Sequence, residues 1–164
     1  MFILVEFAKR KTFLIEQLAD FYMEHADRIN NWDVVDQSSG YIIGPYLAHY
    51  LSESERADFI ERCIASDHLW TNRIIILASL HFIMQGDASM ILAIAPRFFP
   101  HKHDLIHKAT GWMLREAGKR VSEKLLCDFL DIHAGAMPRT MLRYAIERLS
   151  EEKRKRYMQR GKIS

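Results

Sequence analysis

The chain has 164 residues, of which 49% are hydrophobic, 27% charged and 11% aromatic, the composition of a globular domain with enough chain to bury a core. Only 7 glycines and 4 prolines disfavour a turn-rich sandwich or barrel and favour helices. A formal net charge of +2 excludes a polybasic arm as the dominant feature but leaves room for charge gathered on one face. Cys63 and Cys127 lie far apart with no C-x-x-C partner, so neither a disulfide framework nor a zinc ribbon is expected, and a reduced cytoplasm fits. The apolar Met1 to Val5 lacks a preceding basic stretch and is cut short by Glu6 and Lys9-Arg10-Lys11. It reads as neither signal peptide nor membrane span, and no other stretch reads as a span.

Apolar spacing at Phe13, Leu14, Leu18, Phe21 and Tyr22 predicts a first amphipathic helix ending near Ile29. A second is expected from Trp32 to about Leu51. Ser52-Glu53-Ser54-Glu55 has the form of a capping box ahead of Phe59, Ile60, Cys63 and Ile64. Asp67 is the expected cap of a helix over Trp70 to Gln85, which Gly86-Asp87 closes. Ala88 to Phe99 predicts a shorter helix bent or ended at Pro96. Asp104 is the expected cap of a helix reaching Gly118, followed by helices over Ser122 to His133 and Pro138 to Leu149, with a first-turn proline tolerated in the last. A basic helix or tail covers about residues 150 to 164.

The helices fall into pairs whose starts recur roughly every 33 to 41 residues, the period of two-helix HEAT or armadillo repeats. The expected fold is all-α, a right-handed α-solenoid of about four helix pairs in a single domain over residues 1–164. The second helices of successive pairs carry Trp32 and Asp36, Trp70 and Arg73, Trp112 and Arg115, then Arg139 and Arg143. They line either one ligand-binding face or simply the packed and solvated sides of an ordinary helical array.

Trp32 and Asp36, four apart, share one helix face. An indole beside a carboxylate suits a cation, including the positive charge that develops on a sugar ring as a glycosidic bond breaks. The plainer alternative makes Trp32 core and Asp36 a solvated residue or the partner of an arginine. Arg73 sits beside the apolar run Ile74 to Leu77 and needs a carboxylate or phosphate; a salt bridge to Asp36 and a phosphate contact are both open. Lys108, Trp112 and Arg115 follow helical spacing, two cations flanking an aromatic, which can hold a phosphate backbone and contact a sugar. Gly111, inside that helix, signals close approach of a backbone or ligand. His101, His103 and His107 read as polar caps at a helix start rather than as a metal site, since no completing ligand stands at the right spacing. The cationic Lys153-Arg154-Lys155-Arg156 run, with Arg160 and Lys162, is either a solvated helix end or a nucleic-acid contact. No Gly-rich phosphate loop, G-x-S-x-G elbow or H-E-x-x-H is present.

Four blocks, Asn31-Trp32-Asp33-Val34-Val35-Asp36, Leu69-Trp70-Thr71-Asn72-Arg73-Ile74, His103 to Arg120, and Met137-Pro138-Arg139-Thr140-Met141-Leu142-Arg143-Tyr144-Ala145-Ile146-Glu147, resemble the signature blocks of the AlkD-type DNA alkylation repair glycosylases. The resemblance runs from Phe13 across nearly the whole chain. It implies HEAT-like repeats whose concave basic face cradles duplex DNA, and hydrolytic release of cationic N3- and N7-alkylpurines such as 3-methyladenine and 7-methylguanine. It also implies that the lesion stays in the duplex instead of entering a base pocket. Carried over by motif, Asp36 would be the catalytic carboxylate, Trp32 and Trp112 would contact the deoxyribose, and Arg73 would bind the backbone beside it. Lys108, Arg115, Lys119, Arg139 and Arg143 would contact DNA. No metal or organic cofactor and no obligate protein partner are implied, and without a lysine nucleophile the enzyme would be monofunctional. Family members are usually longer at the N-terminus by about two helix pairs, so part of the cradle is expected to be missing, with Met1 to Val5 a poor terminal cap. The alternative is an inactive helical-repeat module, left by N-terminal truncation, that binds DNA or a protein.

Overall fold

The computed structural model describes residues 14–29 and 31–160. Every regular element among them is helical: α1 (Ile15–Glu24), α2 (Trp32–His49), α3 (Glu53–Ala65), α4 (Leu69–Met84), α5 (Ser89–Ile94), α6 (Asp104–Arg120), α7 (Glu123–His133), α8 (Arg139–Ala145) and α9 (Glu151–Arg160), with 3₁₀ turns at Ala26–Arg28 and Ala95–Phe98. The all-α expectation holds. Expectations placed on Met1 to Val5, on Lys9-Arg10-Lys11, on Phe13 and on Lys162 lie outside the described residues. No helix among the described residues is long and apolar enough to cross a membrane.

Local chemistry explains most boundaries. Ser52 and Glu55 form the full capping box of α3, Ser122 caps α7 by accepting from the Leu125 N–H, and Pro96 turns the end of α5 into 3₁₀ geometry. Gly86, at φ +87°, adopts the left-handed turn that stops α4. Two caps fall on the residue next to the acid expected there, one before it and one after it. His103, not Asp104, caps α6, its Nδ1 accepting from the Leu105 N–H at 3.2 Å. His68, not Asp67, precedes α4, its Nδ1 3.4 Å from the Thr71 N–H. An unprotonated imidazole nitrogen supplies the acceptor that an N-cap requires.

The chain divides into two compact units, Met1–Phe82 and Ile83–Ser164, and α4 runs through the boundary. In the first unit α4 is apolar on every side, with Ile74, Ile75, Ile76 and Ala78 fully buried, so it is the helix that its neighbours pack around. α2 stacks beside it in parallel register. Asp36 meets Arg73 across 37 residues of sequence. A Cβ built at Gly40 would lie 3.5 Å from the Leu77 carbonyl, and one at Gly44 would lie 2.3 Å from the His81 Cβ. All three pairs keep the same sequence interval, which falls within the expected repeat period, so α2 and α4 relate as equivalent helices of successive repeats.

The second unit repeats the arrangement. α6 packs on α7 and most extensively on α8, burying Ile106, Ala109, Met113, Leu114 and Ala117 against Leu126, Leu130, Met141, Leu142 and Ala145. Asp104 bonds Thr140 and Arg115 bonds Glu147. Between these ends a Cβ at Gly111 would come within 2.4 Å of the Met141 carbonyl oxygen. The close approach expected at Gly111 is therefore that of the α8 backbone. α9 docks through Tyr157, fully buried, whose hydroxyl donates to the Cys127 carbonyl at 3.3 Å.

Candidate functional site

The first unit contains one polar constellation set into an otherwise apolar seam. Arg73 stands on the buried stretch of α4 and is itself buried, where an unpaired guanidinium is untenable. It donates from Nε to Asp36 Oδ1 and from Nη2 to Asp36 Oδ2, both at 2.8 Å, and the two side chains are only 5% and 13% exposed. This planar two-bond geometry fixes the orientation of the carboxylate as well as its position. Of the two open readings for Arg73, the ion pair with Asp36 is the one the free chain adopts.

The elements on either side hold this pair in place. The Asn72 amide, buried like Arg73, reaches the carbonyls of Ser66 at 2.6 Å and His68 at 3.1 Å, tying the α3–α4 turn to the start of α4. On the other side, the Tyr22 hydroxyl lies 2.6 Å from Ser38 Oγ, and Ser38 and Ser39 donate to the carbonyls of Val34 and Val35. Burial raises the Tyr22 phenol's pKa, with a smaller contribution from the negative charge of Asp36 and against the lowering effect of its serine partners. This network around the Asp36 turn escapes sequence reading, which takes Tyr22 only as part of an apolar face; two adjacent serines on a helix's buried side are the signal that could have found it.

Trp32, one turn before Asp36, opens α2 and is 53% exposed. Asn31 caps the helix there by accepting from the Asp33 N–H at 3.0 Å. Trp32 is therefore not core, unlike most tryptophans. Its indole stands at the surface, one turn from a carboxylate that is turned inward onto Arg73. Trp70 is half-buried.

The remaining candidates belong to the second unit. Lys108, Trp112, Arg115 and Lys119 follow one another at intervals of four, three and four on α6, a single stripe about 16 Å long. Lys108 pairs with Asp104 at 2.9 Å; that bond raises the lysine's pKa and lowers the acid's. Arg143, on α8, is close enough to Lys108 to oppose the lysine's protonation. Arg115 bonds Glu147 through Nη1 and lies 3.7 Å from Glu116 through Nη2, while its Nε is buried with no hydrogen-bond partner. Burial raises the pKa of Glu116, but Arg120 and Arg115 outweigh it and leave that acid below its ordinary value. Lys119 and Arg143 are exposed. Arg139 donates to the Met158 carbonyl at 2.7 Å, one of the open carbonyls at the end of α9, so this candidate is engaged in capping α9.

Part of the C-terminal cationic run is docked on α7, while Lys155, 72% exposed, pairs among the described residues only with Glu151 of its own helix. Arg156 and Arg160 both bond Asp131, at 2.5 and 2.8 Å, and Lys153 bonds Glu123. His101 accepts from the His103 N–H at 3.0 Å and His103 caps α6, in keeping with the expected role of these two, whereas His107 lies inside α6 with its Nε2 buried and without a hydrogen-bond partner among the described residues and is no cap. Among the described residues no group of three or more His, Cys, Asp or Glu side chains is placed to hold a metal ion.

An exposed indole, a carboxylate oriented by a buried guanidinium, and a stripe of cations around a second tryptophan are the features to set beside known proteins. No curated protein matches the chain. The sequence model of the DNA alkylation repair enzyme family matches residues 2–149. This match takes in every candidate residue, from Trp32 to Arg143, and on it the chain belongs to the DNA alkylation repair enzyme family.

Proposed function

We propose that this family member is a monofunctional DNA glycosylase that hydrolyses the N-glycosidic bond of N3- and N7-alkylated purines, such as 3-methyladenine and 7-methylguanine, in duplex DNA. The observation that carries the reading is the Asp36 carboxylate, oriented by two 2.8 Å bonds from Arg73 and lying one helical turn from the exposed Trp32. An alkylated purine already carries positive charge and departs as a neutral base, so the leaving group needs no general acid and no cofactor. What needs stabilising is the deoxyribose, where positive charge grows at C1′ as the bond to nitrogen breaks and its electron pair stays with the base. The carboxylate opposes that charge and accepts the proton of the water that adds to C1′; the indole face of Trp32 adds cation–π attraction.

In the free chain the charge of Asp36 is balanced by Arg73. A DNA phosphate offers the guanidinium the same two-bond geometry as the carboxylate and so competes with Asp36 for Arg73. As the backbone takes up Arg73, Asp36 is released to face the sugar. The reading thus gives Arg73 both partners, the carboxylate before DNA arrives and the phosphate afterwards. Trp112, to which the resemblance assigns a sugar contact, belongs to the second unit and is tested separately.

The test is base release from a duplex carrying a single 7-methylguanine, detected as strand breakage after alkali, with wild type, Asp36→Asn and Trp32→Ala compared. Asp36→Asn keeps the shape and one acceptor oxygen but removes the charge that balances Arg73, at a cost of up to about 3–5 kcal/mol, whereas Trp32 is exposed; circular dichroism at the assay temperature therefore accompanies each variant, and the loss of base release is scored on folded protein. The expected result is breakage by wild type, none by Asp36→Asn and a reduced rate with Trp32→Ala. Folded wild type that binds the duplex and releases no base would leave a helical DNA-binding module in place of an enzyme. Trp112→Ala is expected to slow release as well.

A further inference from the structure

The α6 stripe does not end at Arg115. Past its last turn lies an open cleft of about 410 Å³, lined among others by Arg115, Lys119, Ser122, Glu123, Leu126 and Arg148. Arg148 is exposed and lies outside every motif read from the sequence. Of the charged groups here, Arg115 is paired with Glu147 and Glu123 with Lys153. Lys119 and Arg148 make no hydrogen bond or ion pair with the described residues. The cleft therefore holds two positive charges in excess, and it lies between the carboxyl end of α6 and the amino end of α7, whose opposite partial charges offset one another and leave the cations to set the field.

We propose that this cleft is a phosphate site, in which Lys119 and Arg148 hold a phosphodiester of the DNA backbone. The inference rests on the DNA reading of the previous subsection and extends it to a residue and a position that reading does not use. Uncompensated cations bordering a concave surface repel one another until an anion arrives, and the volume exceeds what one phosphate fills, leaving room for the attached sugar. The cleft also continues the line of Lys108, Trp112 and Arg115, so a backbone following α6 reaches it without a change of direction.

Binding of a short undamaged duplex, measured by fluorescence anisotropy across a salt series, tests the proposal without any base release. Each phosphate contact contributes about 0.9 to the slope of log K against log salt. Because Lys119 and Arg148 hold the same phosphate, the double variant should lower the slope by about 0.9, and Arg148→Ala or Lys119→Ala alone by part of that. Lys124→Ala, whose side chain is 82% exposed and paired with Asp128 outside the cleft, should leave it unchanged. Inorganic phosphate, titrated at constant ionic strength and followed by backbone amide NMR, identifies the anion's source. Shifts at Ser122 and Glu123 that Arg148→Ala removes, together with the loss of slope, support the proposal. The same shifts with an unchanged DNA slope would assign the cleft to a free phosphoester and overturn the DNA site, and an unchanged slope without shifts overturns the site altogether. A glycosylase assay that failed while the slope still depended on Arg148 would remove the catalytic reading and leave this one standing.

Discussion

The seam between α2 and α4 makes a prediction in which two glycines of the same helix respond in opposite directions. A Cβ added at Gly44 would sit 2.3 Å from the His81 Cβ and 2.9 Å from the Ala78 carbonyl oxygen. Ordinary contact between carbons needs about 3.5 Å, so α2 and α4 must separate by about 1 Å there. Overpacking of this kind costs about 1–3 kcal/mol, and more when backbone must move. Replacing glycine by alanine inside a helix returns about 1 kcal/mol, which leaves Gly44→Ala destabilised by about 2 kcal/mol. At Gly40 the same methyl meets the Leu77 carbonyl and the Leu80 Cβ at 3.5 Å, an ordinary contact, so Gly40→Ala keeps the helix gain of up to about 1 kcal/mol. For a chain of this size each kcal/mol moves Tm by about 2–4 °C. Thermal unfolding followed by circular dichroism should therefore place Gly40→Ala a few degrees above wild type and Gly44→Ala about 4–8 °C below it. Equal effects of the two substitutions would refute the close approach of α2 to α4, and with it the register that brings Asp36 to Arg73.

Two further outcomes follow from groups near that seam. Burial, and the positive charge of His49, lower the pKa of His81 from its ordinary 6.5, so between the folded and unfolded pKa values the unfolded chain binds more protons. The stabilisation is complete above about pH 6.5 and is lost as pH falls through the folded value; Tm measured between pH 7.5 and 5 should drop by less in His81→Asn than in wild type. Burial pushes the Cys63 thiol up to about 12, so at pH 8 it should resist a thiol reagent while the protein is folded and react fully in denaturant, as counted by absorbance.

Much of the fold was legible because helix-forming spacing, scarce glycine and a capping box all agree. The boundaries that slipped did so where an unexpected group met a local need. Imidazoles at His68 and His103 serve as caps in place of the acids beside them. α6 runs on through Gly118 to Arg120 because that glycine admits the Leu126 side chain, which would lie 2.5 Å from a Cβ there, and so does not stop the helix. α8 ends at Ala145, four residues early, although Ile146 and Leu149 remain buried; periodicity records burial and cannot tell a helix from the turn that follows it. The hydrophobic pattern likewise counts Phe21 toward the core, whereas it is 51% exposed and stacks on His25.

The candidate site was legible in its parts, and its pairing only as one of two readings left open for Arg73. Asp36 and Arg73 stand out as an acid and a base on apolar helices, but the sequence shows no identity between repeats from which to align them. Their meeting depends on the constant interval that also joins Gly40 to Leu77 and Gly44 to His81, and that interval becomes visible only when the helices are stacked. The pairing in turn constrains the chemistry. A carboxylate neutralised by a guanidinium offers little to a developing cation, so under the proposed mechanism catalysis requires a competitor for Arg73, and DNA carries one at every nucleotide. Activity is then coupled to seating on the backbone: a free alkylated nucleoside, with no phosphate to draw off the arginine, meets a balanced ion pair and no free carboxylate.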